Sequence, residues 1–234
     1  LMKKALIKRA YLNPDKQLEH TLLETIQALM ESYSNEDKEV FPMFLTLPGL
    51  SELELAHKYS DPIALYESRI YFETFFGKNL SDQLKRALFA IESECSSPWP
   101  MGQGVRMFKG ILWKWLALAG DLDVRAEASA ATLGDSMTLT RAALDALQLI
   151  PCKEREIAMK NFYERWQDYP VILDTWFNLE ASAPRKDSLS KIRELLKHPK
   201  YDPMAPNAVR AVLGGFAANT KAFHAIDGSG YRFI

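Results

Sequence analysis

Histidine and carboxylate side chains are the first candidates for metal chemistry in this chain. The four histidines are His20, His57, His198 and His224, and no two of them have the i, i+4 spacing of the H-E-x-x-H zinc motif. Glu54 and His57 form an E-x-x-H, but a di-iron bundle needs a second copy and two further carboxylates on facing helices. The pattern therefore favours a solvated helix face. The alternative, a metal-dependent helical-bundle enzyme, predicts tightly bound iron or manganese.

The cysteines and one glycine-rich segment offer little further chemistry. Cys95 and Cys152 have no histidine nearby in sequence, so both are interpreted as structural thiols. The segment 227–230, D-G-S-G, is similar to part of a phosphate-binding or calcium-binding loop. It lacks the preceding strand, the Gly-Lys-Ser/Thr ending and the ordered ligands that such loops require. We therefore predict a tight turn between helices.

One arginine lies in an apolar helix that begins at Pro206. An arginine in that setting either pairs with a buried carboxylate or faces a cavity, and spacing alone favours the buried pair for Arg210. Gly214 and Gly215 follow it, and each glycine costs about 1 kcal/mol relative to alanine inside a helix. A close approach of a second helix would explain the glycine pair, and a cavity wall is the alternative.

Composition excludes several classes of protein. The chain has 29 Lys and Arg against 30 Asp and Glu, a formal net charge of -1, so we expect no nucleic-acid partner. No apolar run approaches the roughly 20 residues of a membrane span, and lysines interrupt the short apolar stretch at the start. Two cysteines suit a reducing compartment. These features predict a cytoplasmic protein that binds no membrane.

The hydrophobic pattern is helical along most of the chain. Asn13-Pro14-Asp15 and Asp61-Pro62 are helix starts, each with a capping residue before a proline. Strand-type alternation never persists, although 41–47 is ambiguous. The helix at 105–119 is apolar on more than one side, so we expect it to be buried between neighbours. The other predicted helices cover 81–91, 122–133, 136–150, 153–166, 171–181, 188–197 and 206–218.

Short turns between such helices predict an all-α fold, a superhelical array of antiparallel helix pairs similar to an α-solenoid. We expect a single helical domain over 1–234, with a weak sub-boundary in the Pro- and Gly-rich segment 95–104. Both ends suggest truncation, because Leu1 is not an initiator and the apolar segment 231–234 stops after four residues. The chain is thus interpreted as a fragment of a longer protein.

Three segments in the C-terminal third carry a family resemblance. They are I-L-D-T-W-F at 172–177, P-N-A-V-R-A-V-L-G-G-F-A at 206–217 and F-H-A-I-D-G-S-G-Y at 223–231. In this order they resemble the C-terminal helical domain of bacterial aminopeptidase N, a zinc aminopeptidase of the gluzincin type. The segments 45–48 and 61–64 are similar to earlier parts of that domain. The resemblance spans most of the chain, although 95–135 matches only in helical character.

The resemblance implies a non-catalytic role for this chain. In that family the zinc ligands, the catalytic glutamate and the G-x-M-E-N motif lie in a preceding domain, and none of these motifs is present here. No catalytic residue, metal ligand or cofactor is therefore assigned to this chain. The zinc belongs to the missing catalytic domain.

The family's C-terminal domain closes over the active site, encloses a cavity and restricts access to peptides. By resemblance, Arg210 and Asn207 line that cavity toward the C-terminal end of a bound peptide. The implied partners are the catalytic domain of the same polypeptide and peptide substrates. The alternative function is a free-standing α-solenoid that binds protein partners.

Overall fold

The computed structural model describes residues 1–11, 14–56, 61–97 and 101–234, and these residues contain helices and no strand. The all-α prediction is therefore confirmed. The chain divides into two compact units, Leu1–Leu147 and Gln148–Ile234. The described part of segment 95–104 lies inside the first unit. The prediction of one domain over 1–234 remains a prediction.

The first unit contains nine helices within its described residues, and two short 3-10 helices at Tyr33–Asn35 and Glu94–Ser96. The ambiguous segment 41–47 contains a helix. In chain order the helices are α1 (Met2–Tyr11), α2 (Lys16–Ser32), α3 (Phe41–Leu45), α4 (Leu50–Glu54), α5 (Pro62–Asn79), α6 (Ser81–Ala90), α7 (Gln103–Ala119), α8 (Leu122–Ala131) and α9 (Met137–Leu147).

Aspartates cap several of these helices. The Asp61 carboxylate accepts hydrogen bonds from two backbone N–H groups at the start of α5, as the sequence predicts. Helix α2 begins later than predicted: its cap is Asp15, which accepts from the Leu18 N–H at 3.0 Å. Pro14 therefore precedes the helix, and Asn13 lies outside the described residues.

Helix α7 is the centre of the first unit and packs against α3, α5, α6, α8 and α9. Trp113, Trp115 and Leu116 are buried, although they point in different directions around the helix. The rings of Trp115 and Phe76 lie 5.0 Å apart between centroids. The prediction that this helix is buried between neighbours is confirmed.

Two cations are buried on α7 together with the apolar residues. Arg106 donates to the backbone oxygens of Ser97 and Met101 at 3.0 and 2.9 Å. Lys109 pairs with Glu92 and also lies 3.4 Å from a carboxylate oxygen of Glu127. Because every cation has its own acceptors, the helix can be buried without an isolated charge.

The crossing of α5 and α7 depends on Gly77. A Cβ atom at this position would lie 2.0 Å from the Trp115 backbone oxygen and 2.9 Å from the Ala119 Cβ. Because the first of these atoms belongs to the backbone, a side chain at position 77 would force the two helices apart.

We predict that Gly77→Ala lowers the free energy of unfolding by about 1–3 kcal/mol, the usual cost of overpacking a core. The control is Gly49→Ala, since a Cβ at Gly49 would meet no atom within 4 Å; its effect should stay within about 0.5 kcal/mol. Urea denaturation followed by circular dichroism measures both values. Equal effects of the two substitutions would show that the close crossing does not exist.

The second unit begins with three helices of 8 to 14 residues and ends in shorter ones. Its core contains Leu173, Phe177, Ile192, Val212 and Phe216, all buried. In chain order the elements are α10 (Lys153–Trp166), α11 (Pro170–Ser182), α12 (Ser188–Leu195), α13 (Pro206–Val209), a π-helical segment (Arg210–Gly214), α14 (Gly215–Ala218), α15 (Thr220–Phe223) and α16 (Ser229–Phe233).

Among the last apolar residues, Phe233 is packed, whereas Tyr231 and Ile234 are exposed. The Phe233 ring lies 5.5 Å from the Phe216 ring between centroids, and the Arg193 guanidinium lies 5.2 Å from the Phe233 ring.

None of the helices in the described ranges is both long enough and apolar enough to cross a lipid bilayer.

Candidate functional site

The stretch that carries Arg210 is helical but not regular. The sequence predicts one α-helix over 206–218, whereas the structure has a π-helical segment, Arg210–Gly214, between α13 and α14. This correction has a physical reason at the glycine pair, because the low helix propensity of glycine reduces the cost of leaving α geometry. Single π turns inside α-helices often occur at functional sites.

The two residues assigned by resemblance lie together at the start of this segment. The Arg210 Nη1 donates to the Asn207 Oδ1 at 3.3 Å, and both residues are exposed. The buried ion pair that spacing alone favours is not formed, since Arg210 is exposed. Its stem passes over Gly214, where a Cβ would lie 3.5 Å from the Arg210 Cγ.

Helix α11 contributes polar side chains beside the π-helical segment. Asn178 Nδ2 makes a long contact of 3.5 Å with the Ala211 backbone oxygen, and Asp174 lies one turn earlier on the same face. Burial raises the pKa of the half-buried Asp174 carboxyl. Sequence reasoning missed both residues, although their i, i+4 spacing was a usable signal.

The glycine pair has two different environments. A Cβ on Gly215 would lie 3.0 Å from both the Ala181 Cβ and the Asn178 backbone oxygen, which confirms the predicted close approach of a second helix. A Cβ on Gly214 would meet only the Arg210 Cγ at 3.5 Å. The close approach therefore explains one glycine of the pair.

We predict opposite effects for alanine at these neighbouring positions. Gly215→Ala should lower the free energy of unfolding by about 1 kcal/mol because α11 must move. Gly214→Ala should raise it by about 0.5–1 kcal/mol through better helix propensity and a less flexible unfolded chain. Thermal and urea denaturation of both variants test this. Destabilisation of the same size at both positions would contradict the different environments.

The histidines do not form a metal site in the described parts of the chain. His57 lies outside them, so the E-x-x-H with Glu54 is not described. His20 lies 3.2 Å from Glu24 on an exposed helix face, and the His224 Nδ1 is hydrogen-bonded to the Tyr231 hydroxyl. Among the described residues, no three His, Cys, Asp or Glu side chains are grouped to hold a metal ion.

His198 is enclosed by aromatic rings in the second unit. Its ring centroid lies 5.3–5.6 Å from those of Tyr163, Trp176 and Phe177. Its Nδ1 accepts from the Lys200 backbone N–H at 3.2 Å, which leaves the Nε2 proton to face the Tyr163 hydroxyl at 3.2 Å. Burial lowers the pKa of His198, and the nearby lysine charges lower it further.

This environment predicts a pH-dependent contribution to stability. Because the folded pKa of His198 lies below its usual value of about 6.5, the unfolded chain binds more protons. The contribution is complete above that value and is lost as the pH falls through the folded pKa. We expect the free energy of unfolding, measured by urea titration, to fall less in His198→Phe than in the unsubstituted chain when the pH is lowered from 7.5 to 5. His20→Gln is the control, and an unchanged pH dependence in His198→Phe would contradict the prediction.

The two cysteines and the D-G-S-G segment lie in a core, at a helix start and in a turn, respectively. Cys95 is buried, and burial raises the pKa of its thiol. Cys152 is partly exposed and precedes the first residue of α10. Gly228 adopts a φ of 70°, and the Asp227 carboxylate accepts from the Ser229 N–H at 2.9 Å. The predicted tight turn is confirmed, and it precedes α16.

Residues 1–234 match the family model described as a domain of unknown function (DUF3458_C) with ARM repeats. The chain belongs to this family. The ARM-repeat description agrees with the predicted all-α, solenoid-like fold class.

Three relatives bear out the resemblance found in the sequence. Aminopeptidase N of Haemophilus influenzae is 28% identical over 216 residues, 91% of this chain and 24% of that protein. Aminopeptidase N of Caulobacter vibrioides is 31% identical over 200 residues, 82% of this chain and 23% of that protein. The crystal structure of Legionella pneumophila aminopeptidase A in complex with aspartic acid has a TM-score of 0.78 and 26% identity. It matches 90% of this chain and 26% of that one.

The chain thus matches a C-terminal domain of aminopeptidase N. It spans about a quarter of the length of these relatives.

Proposed function

We propose that this chain is the non-catalytic C-terminal cap of a zinc metallo-aminopeptidase that removes N-terminal residues from peptides. In this proposal it encloses the active-site cavity, admits peptides and restricts larger substrates, in the cytoplasm. The observation that carries the proposal is the homology with aminopeptidase N along almost the whole chain. The partner is then the catalytic domain of the same polypeptide, which supplies the zinc.

The residues that the structure describes do not form a zinc centre. Within the described ranges no group of three ligand-type side chains exists, so no catalytic step is assigned to them. Their contribution is to bind, to orient and to exclude water. A helical wall over an active site strengthens the electrostatic interactions inside it, because it replaces bulk water.

Arg210 is the residue best suited to attract a peptide. It is an exposed cation, and its described hydrogen-bond partner is the neutral Asn207 amide. Within the described residues no carboxylate forms an ion pair with it. A guanidinium in this state can bind the C-terminal carboxylate of a peptide, with Asn207 limiting its rotamers.

We predict that Arg210→Ala, made in the longer aminopeptidase polypeptide, lowers kcat/KM for short peptides by about tenfold, the value of one charged hydrogen bond. Cleavage of an aminoacyl amide, which has no C-terminal carboxylate, should change less than about twofold. For short peptides, the kcat/KM of Arg210→Lys should lie between the values of the unsubstituted enzyme and of Arg210→Ala, because lysine keeps the charge and loses the planar fork.

The control for this experiment is Lys197→Ala, which removes an exposed cation from another part of the second unit. It should leave both substrates unaffected. Equal losses on peptide and amide substrates in Arg210→Ala would remove Arg210 from the substrate cavity.

The alternative is a free-standing α-solenoid that binds protein partners. Three exposed apolar residues with i, i+3, i+4 spacing favour it: Val40, at the N-cap of α3, and Met43 and Phe44 on α3, which are 42%, 65% and 55% exposed. In the cap proposal the rest of the polypeptide is the natural cover for this face. A polypeptide containing the chain that has no aminopeptidase activity would favour the alternative.

A further inference from the structure

A cavity of about 460 Å³ lies in the second unit, where two helices begin. One wall is formed by residues 148–152 and the first turn of α10, and the other by residues 183–187 before α12. Its volume is within the usual range of about 300–1,000 Å³ for small-ligand sites. Leu149, Ile150 and Pro184 make part of the wall apolar.

A buried carboxylate organises the cations on one side of this cavity. Glu180 on α11 is 6% exposed and lies 2.7 Å from Arg185, 3.4 Å from Arg155 and 3.4 Å from Lys191. Glu180 therefore contacts three cations, of which Lys191 also lies 3.8 Å from Glu194. Both arginines, together with Lys186, also line the cavity.

Arg155 is the least compensated of these cations. It is 6% exposed, and its polar contacts are long: 3.3 Å to the Gln148 Oε1, and 3.4 Å each to the Leu179 backbone oxygen and the Glu180 Oε1. Its buried Nε has no hydrogen-bond partner among the described residues. Burial lowers the pKa of Arg155, and Glu180 opposes this only in part. An uncompensated buried guanidinium is costly, so an additional anion would be stabilising.

The starts of α10 and α12 also favour an anion in this cavity. Neither α10 nor α12 has a side-chain hydrogen bond at its N-cap, and the residues at these positions, Cys152 and Asp187, both line the cavity. The unsatisfied N–H groups of a helix start attract negative charge. Glu156 and Asp187 are also on the wall, so a ligand with one charge is favoured over one with several.

We propose that this cavity binds a carboxylate attached to a small apolar group. Arg155, Arg185 and Lys186 are the anion-binding residues, and the apolar wall receives the remainder of the ligand. This inference is independent of the proposed aminopeptidase role and of Arg210. Two sources have this chemistry: the C-terminal residue of a peptide, and a free organic acid.

The test is an NMR titration of the 15N-labelled 234-residue chain with three compounds that share an isobutyl group. They are N-acetylleucine, 4-methylpentanoate and the neutral 4-methylpentanamide. We expect saturable shifts at residues 149–156 and 183–187 with both carboxylates, and none with the amide. Tighter binding of N-acetylleucine would identify a peptide C-terminus as the ligand, and equal binding would identify a free acid.

Two variants and a matched control complete the experiment. Arg185→Gln should weaken carboxylate binding about tenfold, the loss expected for one charged hydrogen bond. Lys186→Gln changes an exposed side chain, so the fold is kept and a weaker loss is expected. Lys160→Gln removes the same charge from the solvent face of α10 and should have no effect. Equal binding of acid and amide, no saturable binding, or unchanged affinity in both cavity variants would overturn the proposal.

Discussion

The burial of α7 is the constraint on which the first unit depends, because this helix carries two cations into an apolar core. Arg106 is held by backbone oxygens of residues that precede the helix. Lys109 is held by Glu92, before the helix, and by Glu127 on α8. The positions of α8 and of the segment before α7 are therefore coupled to the packing of the helix itself.

The second unit also buries charge, but here the central buried group is a carboxylate and its partners are cations. A single buried carboxylate, Glu180 on α11, contacts Arg155 on α10, Arg185 in the connection and Lys191 on α12. Three elements are thereby tied to α11 by one side chain. Arg155 and Arg185 of this cluster also line the cavity at the two helix starts, together with Glu156 and Asp187. A structural ion cluster and a ligand cavity can thus share the same residues.

Local sequence signals predicted most of the helices. Asp61-Pro62 and the all-round apolar character of α7 depend on neighbouring residues only, and both expectations hold in the structure. The pair of Arg155 and Glu180 could not be predicted in this way, because the two residues lie on different helices and no periodicity relates them. The π-helical segment was also hidden. Its buried positions keep regular helical spacing, so the apolar pattern contains no sign of a wider turn.

The exposure of Arg210 follows from helical spacing and not from the character of its sequence neighbours. Its sequence neighbours are apolar, which suggested a buried partner. Ala208, Ala211 and Val212 are indeed buried, but Asn207 and Arg210 belong to the opposite stripe of the helix and are exposed. The arginines differ in the hydrogen bonds that their guanidinium groups make. Arg106 has two short hydrogen bonds to carbonyl oxygens, whereas the described hydrogen-bond partner of Arg210 is one neutral amide. Arg106 is also buried, whereas Arg210 is exposed, and an exposed guanidinium with one hydrogen bond among the described residues can bind an anion from outside the fold.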